Sequence, residues 1–60
     1  MPADFAAALS AAAGSEVFFD KLSNRLERYH VDNINSAKTV ETRGRRIAKA
    51  VSLFLEGEQR

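Results

Sequence analysis

The chain has no cysteine and no tryptophan, and only one proline and one histidine, in sixty residues. Without cysteine it can form neither a disulfide nor a thiolate metal site. A single histidine, His30, excludes a multi-histidine centre, and no Asp/Glu cluster has the spacing of a calcium loop. No run approaches the roughly 18 apolar residues that span a bilayer. The alanine-rich start, MPADFAAALSAAAG, lacks a basic leading region and places Asp4 ahead of its apolar part. An export signal is therefore not expected. The default compartment is the cytoplasm, although a cysteine-free chain tolerates either redox environment.

Catalytic patterns are also missing. No Ser or Thr has a His and an acid at motif spacing, and there is no Gly-rich phosphate loop. Glu16, Asp20 and Glu27 read as solvated helix-surface carboxylates. His30 has the chemistry for proton transfer near neutrality. It falls on the apolar side of its helix, however, and reads as a half-buried structural residue. The expectation is a protein that is not an enzyme and needs no cofactor or metal.

What is present is helical. Apolar residues make up 45% and charged residues 28%, the balance of an ordinary soluble domain. A chain this short buries only about 60% of the surface it exposes when unfolded, so its margin of stability is small. With no disulfide available, close helix packing or self-association must supply the rest. Abundant Ala, Leu, Glu, Lys and Arg favour helices throughout. The expected fold is all-α: one helical domain over residues 1–60, a compact bundle of about four short helices with a long C-terminal one.

The first helix is expected from Pro2 to Ala13. Pro2 suits a first turn, Asp4 suits the positive end of the dipole, and Gly14 would stop the helix. Phe5, Leu9 and Ala12/Ala13 form its apolar stripe. Ser15 would cap a second helix from Glu16 to Leu22, which carries the apolar knot Val17, Phe18, Phe19 and Leu22. Ser23 would cap a third, Asn24 to Ser36, with Leu26, His30 and Ala37 on one face and Tyr29, Asn33 and Ile34 flanking it. In this helix Arg28 has the i,i+4 spacing to meet Asp32. Thr39 would cap the fourth, Val40 to Glu56, which Gly57 ends. Val40, Gly44, Ile47, Val51 and Phe54/Leu55 would form its stripe. Glycine inside a helix costs about 1 kcal/mol relative to alanine. Gly44 on that stripe is therefore expected to admit a close helix neighbour. With links this short, the last helix should be the spine of the bundle.

Charge is unevenly placed. Residues 37–49 hold five Lys/Arg against one Glu, a local +4 within a chain whose net charge is +1. The candidate site is this set: Lys38, Arg43, Arg45, Arg46 and Lys49. Arg43 lies at the edge of the stripe, and the other four gather opposite it. Three readings stay open. The face can be solvated surface, with Arg43 reaching an acidic group on another helix. It can bind an anionic group or a protein partner with an acidic surface, since arginine offers two-pronged geometry to carboxylate and phosphate. Or the third and fourth helices can act as a helix-turn-helix-like nucleic-acid-binding domain. A sequence pI of 8.2 is low for that last role. A weak homodimer is a further way to cover leftover apolar surface.

One stretch also carries a family pattern. Phe19, Leu22, Ser23, Ile34, Ala37, Lys38, Glu41, Thr42, Arg43, Arg45, Arg46, Ile47, Lys49, Ala50, Val51 and Glu56-Gly57 are similar to the C-terminal helical module of the bacteriocin-protection YdeI/OmpD-associated family. The opening Pro-Ala-Asp-Phe and the alanine run resemble the start of that module. The sequence departs from the family pattern at Thr39-Val40, where a basic residue and proline are usual, and at Asn33, where an aromatic is usual. The resemblance implies a role in resistance to antimicrobial peptides or bacteriocins, in a family sometimes described as periplasmic. It also implies a chain that is the module alone.

Overall fold

A computed structural model of the protein describes residues 1–59. It contains four helices: α1 (Ala3–Ala11), α2 (Ala13–Asp20), α3 (Asn24–Asn35) and α4 (Val40–Leu55). No strand occurs among the described residues. The Cα radius of gyration is 10.3 Å, close to the roughly 10.4 Å expected of a folded chain of this length. The helix α4 packs against α1, α2 and α3, so the last helix is the spine.

Local chemistry sets two of the helix starts. Ser23 is extended at φ −64° and its Oγ accepts from Leu26 N, while Thr39 is extended at φ −127° and its Oγ1 accepts from Thr42 N. Each satisfies one of the N–H groups that a helix start leaves without a partner. At the far end, Gly57 has φ +82°. That left-handed conformation suits glycine, and the N–H groups of Gly57 and Glu58 return to Phe54 O and Leu53 O.

The junction of α1 and α2 differs from the expectation. The break falls at Ala12, with φ −121° and ψ 84°, and Gly14 lies inside α2. Ser15 is not a cap. It is fully buried, and its Oγ donates to Ala12 O at 2.7 Å and to Leu9 O at 3.4 Å. The hydroxyl is thus satisfied by two carbonyls at the kink that also accept backbone N–H groups, Leu9 O from Ala12 N and Ala12 O from Ser15 N and Glu16 N. The kink turns α2 so that Phe19 meets Phe5 edge-on, with ring centroids 5.4 Å apart.

The core comprises Phe5, Leu9, Phe19, Leu22, Ile34, Ile47, Ala50 and Phe54. Phe54 is its hub: Phe18, Phe19 and His30 all place rings within 6 Å of it, at 5.6, 5.8 and 4.8 Å. Several expected core positions lie outside. Val40 is 88% exposed, Leu55 58% and Val17 54%. The buried stripe of α4 keeps the expected Ile47 and Phe54, with Val51 packed against the core, and adds Ala50 while Val40, Gly44 and Leu55 are exposed, so the helix is rotated slightly from the expected phase. Gly44 admits no neighbour, since a Cβ there would meet nothing within 4 Å. The close approach occurs at Gly14 instead, where a Cβ would lie 3.2 Å from Leu55 Cδ2. On α3, Ile34 is fully buried rather than flanking. Arg28 and Asp32 do not pair; the ion pairs among the described residues are Arg43–Asp4 and Arg45–Glu41.

Candidate functional site

The five basic residues of the 38–49 segment have three different fates. Arg43 lies one turn into α4 and is half-buried. Its Nε donates to Asp4 Oδ2 at 2.5 Å and its Nη2 donates to Asp4 Oδ1 at 3.0 Å. Two parallel charge-assisted bonds of this kind are the strong form of an Arg–carboxylate contact. They hold the Asp4 carboxyl below its ordinary value, chiefly through the guanidinium hydrogen bonds, and raise Arg43 in return. Asp4 Oδ1 also accepts from Phe5 N at 2.9 Å, so the carboxylate stays at the α1 N-terminus. The contact joins the first turn of α1 to α4.

Arg43 and Arg46 also serve α3. The last carbonyls of a helix have no partner within it, and they form the negative end of its dipole. The last turn of α3 contains no basic residue. The neighbouring helix supplies the cations. Arg46 Nη1 donates to Asn33 O at 2.7 Å and to Ser36 Oγ at 2.8 Å, while Arg43 Nη1 reaches Ile34 O at a long 3.4 Å. Two arginines at i and i+3 on α4 thus cover the end of α3. This role was not expected from the charge pattern. The signals for it were a helix end without its own cation and an RxxR spacing in the next helix.

The remaining three point away from the fold. Arg45 pairs with Glu41 at 2.8 Å, but the two side chains are 78% and 76% exposed. Such an i,i+4 surface pair contributes little and is screened by salt. Lys38 and Lys49 are exposed and have no hydrogen-bond or ion-pair partner among the described residues.

Between α3 and α4 lies a groove of about 280 Å³, lined by Tyr29, His30, Asn33, Arg46, Lys49, Ala50 and Leu53. Two cations stand on its wall and no carboxylate does. His30 forms part of the floor. It is 4% exposed, edge-on to Phe54, and its Nε2 donates to Gln59 O at 2.7 Å. A carbonyl can only accept, so this bond fixes the proton on Nε2. The histidine thus joins α3 to the C-terminal segment, on the apolar side of α3 as expected but fully rather than half buried.

Fold and site together define a small all-helical domain with one basic face and a cationic groove beside it. The chain belongs to the bacteriocin-protection, YdeI or OmpD-associated family, whose family model matches residues 1–57. No curated protein and no solved structure matches the chain.

Proposed function

We propose that this domain is a non-catalytic interaction module that binds a protein partner with an acidic surface. Its contact surface is the face formed by Lys38, Arg45, Arg46 and Lys49. Arg43, spent on Asp4 and α3, holds that face in place. The observation that carries this reading is the isolation of Lys38 and Lys49: both bear charge with no carboxylate beside them, in a chain whose other charges nearly balance. Charge left unpaired on one face steers an oppositely charged partner and raises its rate of encounter. An association role is also in keeping with the family's description.

The nucleic-acid alternative needs the arginines of early α4 to be free for phosphates and base edges. Arg43 is turned back onto α1 and α3 through Nε, Nη1 and Nη2, and Arg46 is held to the end of α3 through Nη1, away from the pose of a reading helix. We therefore favour the protein partner.

The test is a map of amide chemical shifts of the labelled domain, titrated with an acidic peptide and separately with a short DNA duplex, at low and moderate salt. Shifts over Lys38–Lys49 with the peptide alone support the proposal. Stronger shifts there with DNA, lost steeply as salt rises, replace it with the nucleic-acid reading. Silence with both ligands returns the face to solvated surface.

A further inference from the structure

We infer that the α3/α4 groove is the anchor point of the acidic partner. It takes a segment in which an aspartate or glutamate stands beside an apolar residue. This deepens the proposed function and rests on it. The argument starts from what the groove offers. The α4 wall carries two cations, with Lys49 unpaired and Arg46 using only Nη1 on Asn33 O and Ser36 Oγ. The Nε and Nη2 hydrogens of Arg46 remain for a carboxylate. Because Nη1 is already held, the guanidinium is fixed in place before a ligand arrives, and less side-chain entropy is lost on binding. The same α4 wall carries apolar surface beside these cations, from Ala50 and Leu53, and α3 supplies the ring of His30.

Size and charge decide the occupant. About 280 Å³ of open groove suits one side chain and its flanking backbone. A larger aromatic cofactor would need more enclosure. The absence of any acidic side chain on the lining favours an anion, and the apolar surface favours an anion with hydrocarbon attached. Inorganic phosphate satisfies only half of this surface. An acidic peptide with a leucine satisfies both halves. The fixed floor supports the same conclusion: His30 is locked between Phe54 and Gln59 O, so the groove does not have to form on binding.

The experiment compares two blocked hexapeptides binding to the intact chain. One alternates Glu and Leu; the other has each Leu replaced by Ser. Inorganic phosphate is a third ligand and a short DNA duplex a fourth. The Leu peptide is expected to bind at least about 10-fold tighter than the Ser peptide, since burying one leucine side chain is ample for that difference. Its amide shifts should centre on Asn33, Arg46, Ala50 and Leu53. Lys49→Glu, which changes an exposed side chain, should weaken the Leu peptide about 10-fold or more while the far-ultraviolet circular dichroism is retained. Asn33→Trp, which fills the groove but leaves the basic face charged, should abolish the preference for Leu over Ser.

Equal affinities for the two peptides, with shifts confined to Lys38 and Arg45, would overturn the groove and leave the basic face standing. No shift with either peptide would overturn both. Phosphate matching the Leu peptide in affinity would make the groove a plain anion site and contradict the inference. So would DNA displacing the Leu peptide from the groove residues.

Discussion

Arg43 and Asp4, thirty-nine positions apart in sequence, are joined by two hydrogen bonds, from Nε at 2.5 Å and from Nη2 at 3.0 Å. The contact connects the first turn of α1 to α4 across the top of the bundle. It gives the most conspicuous arginine of the basic segment a structural role. It also explains why an acidic residue stands early in an otherwise alanine-rich helix: there it meets both the α1 dipole and a guanidinium.

This pair makes the fold acid-sensitive in a defined window. The Asp4 carboxyl is held below its ordinary value of 3.8, first by the Arg43 hydrogen bond. A carboxyl depressed in the folded state contributes stability that is complete above the unfolded value and is lost as pH falls through the folded one. Asp4→Asn should therefore lower the melting temperature at neutral pH. It should also flatten the loss of stability that the parent shows below about pH 4. Thermal melts of both proteins across that range check this. A variant whose profile runs parallel to the parent's at every pH would remove Asp4 from the account.

The glycines make a graded series. Gly44 is exposed in mid-helix with nothing within 4 Å of a Cβ, so Gly44→Ala should stabilise the protein by about 0.5–1 kcal/mol. Gly57 has φ +82°, and Gly57→Ala should cost about 1 kcal/mol. Gly14→Ala should fall between them. Its Cβ meets the end of the largely exposed Leu55 at 3.2 Å, and that side chain can yield. Denaturant midpoints of the three variants give the order directly. A destabilised Gly44→Ala would mean that α4 has a neighbour the fold does not place there.

Ile47, which lies in the stripe in either phase, is the reference against which Val40 tests the rotation of α4. It is 9% exposed and sits in the buried stripe with Ala50 and Phe54. Ile47→Ala should cost about 2–5 kcal/mol. Val40→Ala, at an 88% exposed position, should stay within about 0.5 kcal/mol. Chemical denaturation of the two variants separates this phase from one in which Val40 faces inward.

The parts of the fold legible in sequence were those with a local chemical mark. Ser23 and Thr39 are side-chain caps, Gly57 is a left-handed stop, and each did what its chemistry implies. The α1–α2 break carries no such mark. Ala12 resembles every alanine around it, and the contacts the kink makes, Ser15 Oγ on Ala12 O and Phe19 on Phe5, are not written in the local sequence. The phase of α4 was misread for a related reason. Val40, Gly44 and Ile47 align on a helical wheel, but Ala50 is small enough to bring α4 against its neighbours, and the buried face shifted toward it. The arginines were found by charge alone. The reach of Arg43 to an acidic group on another helix was legible in its place at the edge of the stripe, and Asp4 is that group, whereas the role of Arg43 and Arg46 on the carbonyls at the end of α3 was marked only by the absence of a basic residue in the last turn of α3 and by the spacing of the two arginines.

The central claim is that the basic segment is divided, with Arg43 serving the fold and Lys49 serving the partner. Its most direct test is one paired measurement, melting temperature and affinity for the Glu-Leu peptide, on Arg43→Gln and Lys49→Gln. The account predicts opposite outcomes. Arg43→Gln melts lower but binds nearly as the parent does when measured well below its transition. Lys49→Gln melts with the parent and binds about threefold to tenfold more weakly, the loss of one charge contact. Equal melting losses in both variants, or peptide affinity untouched by Lys49→Gln, would contradict it.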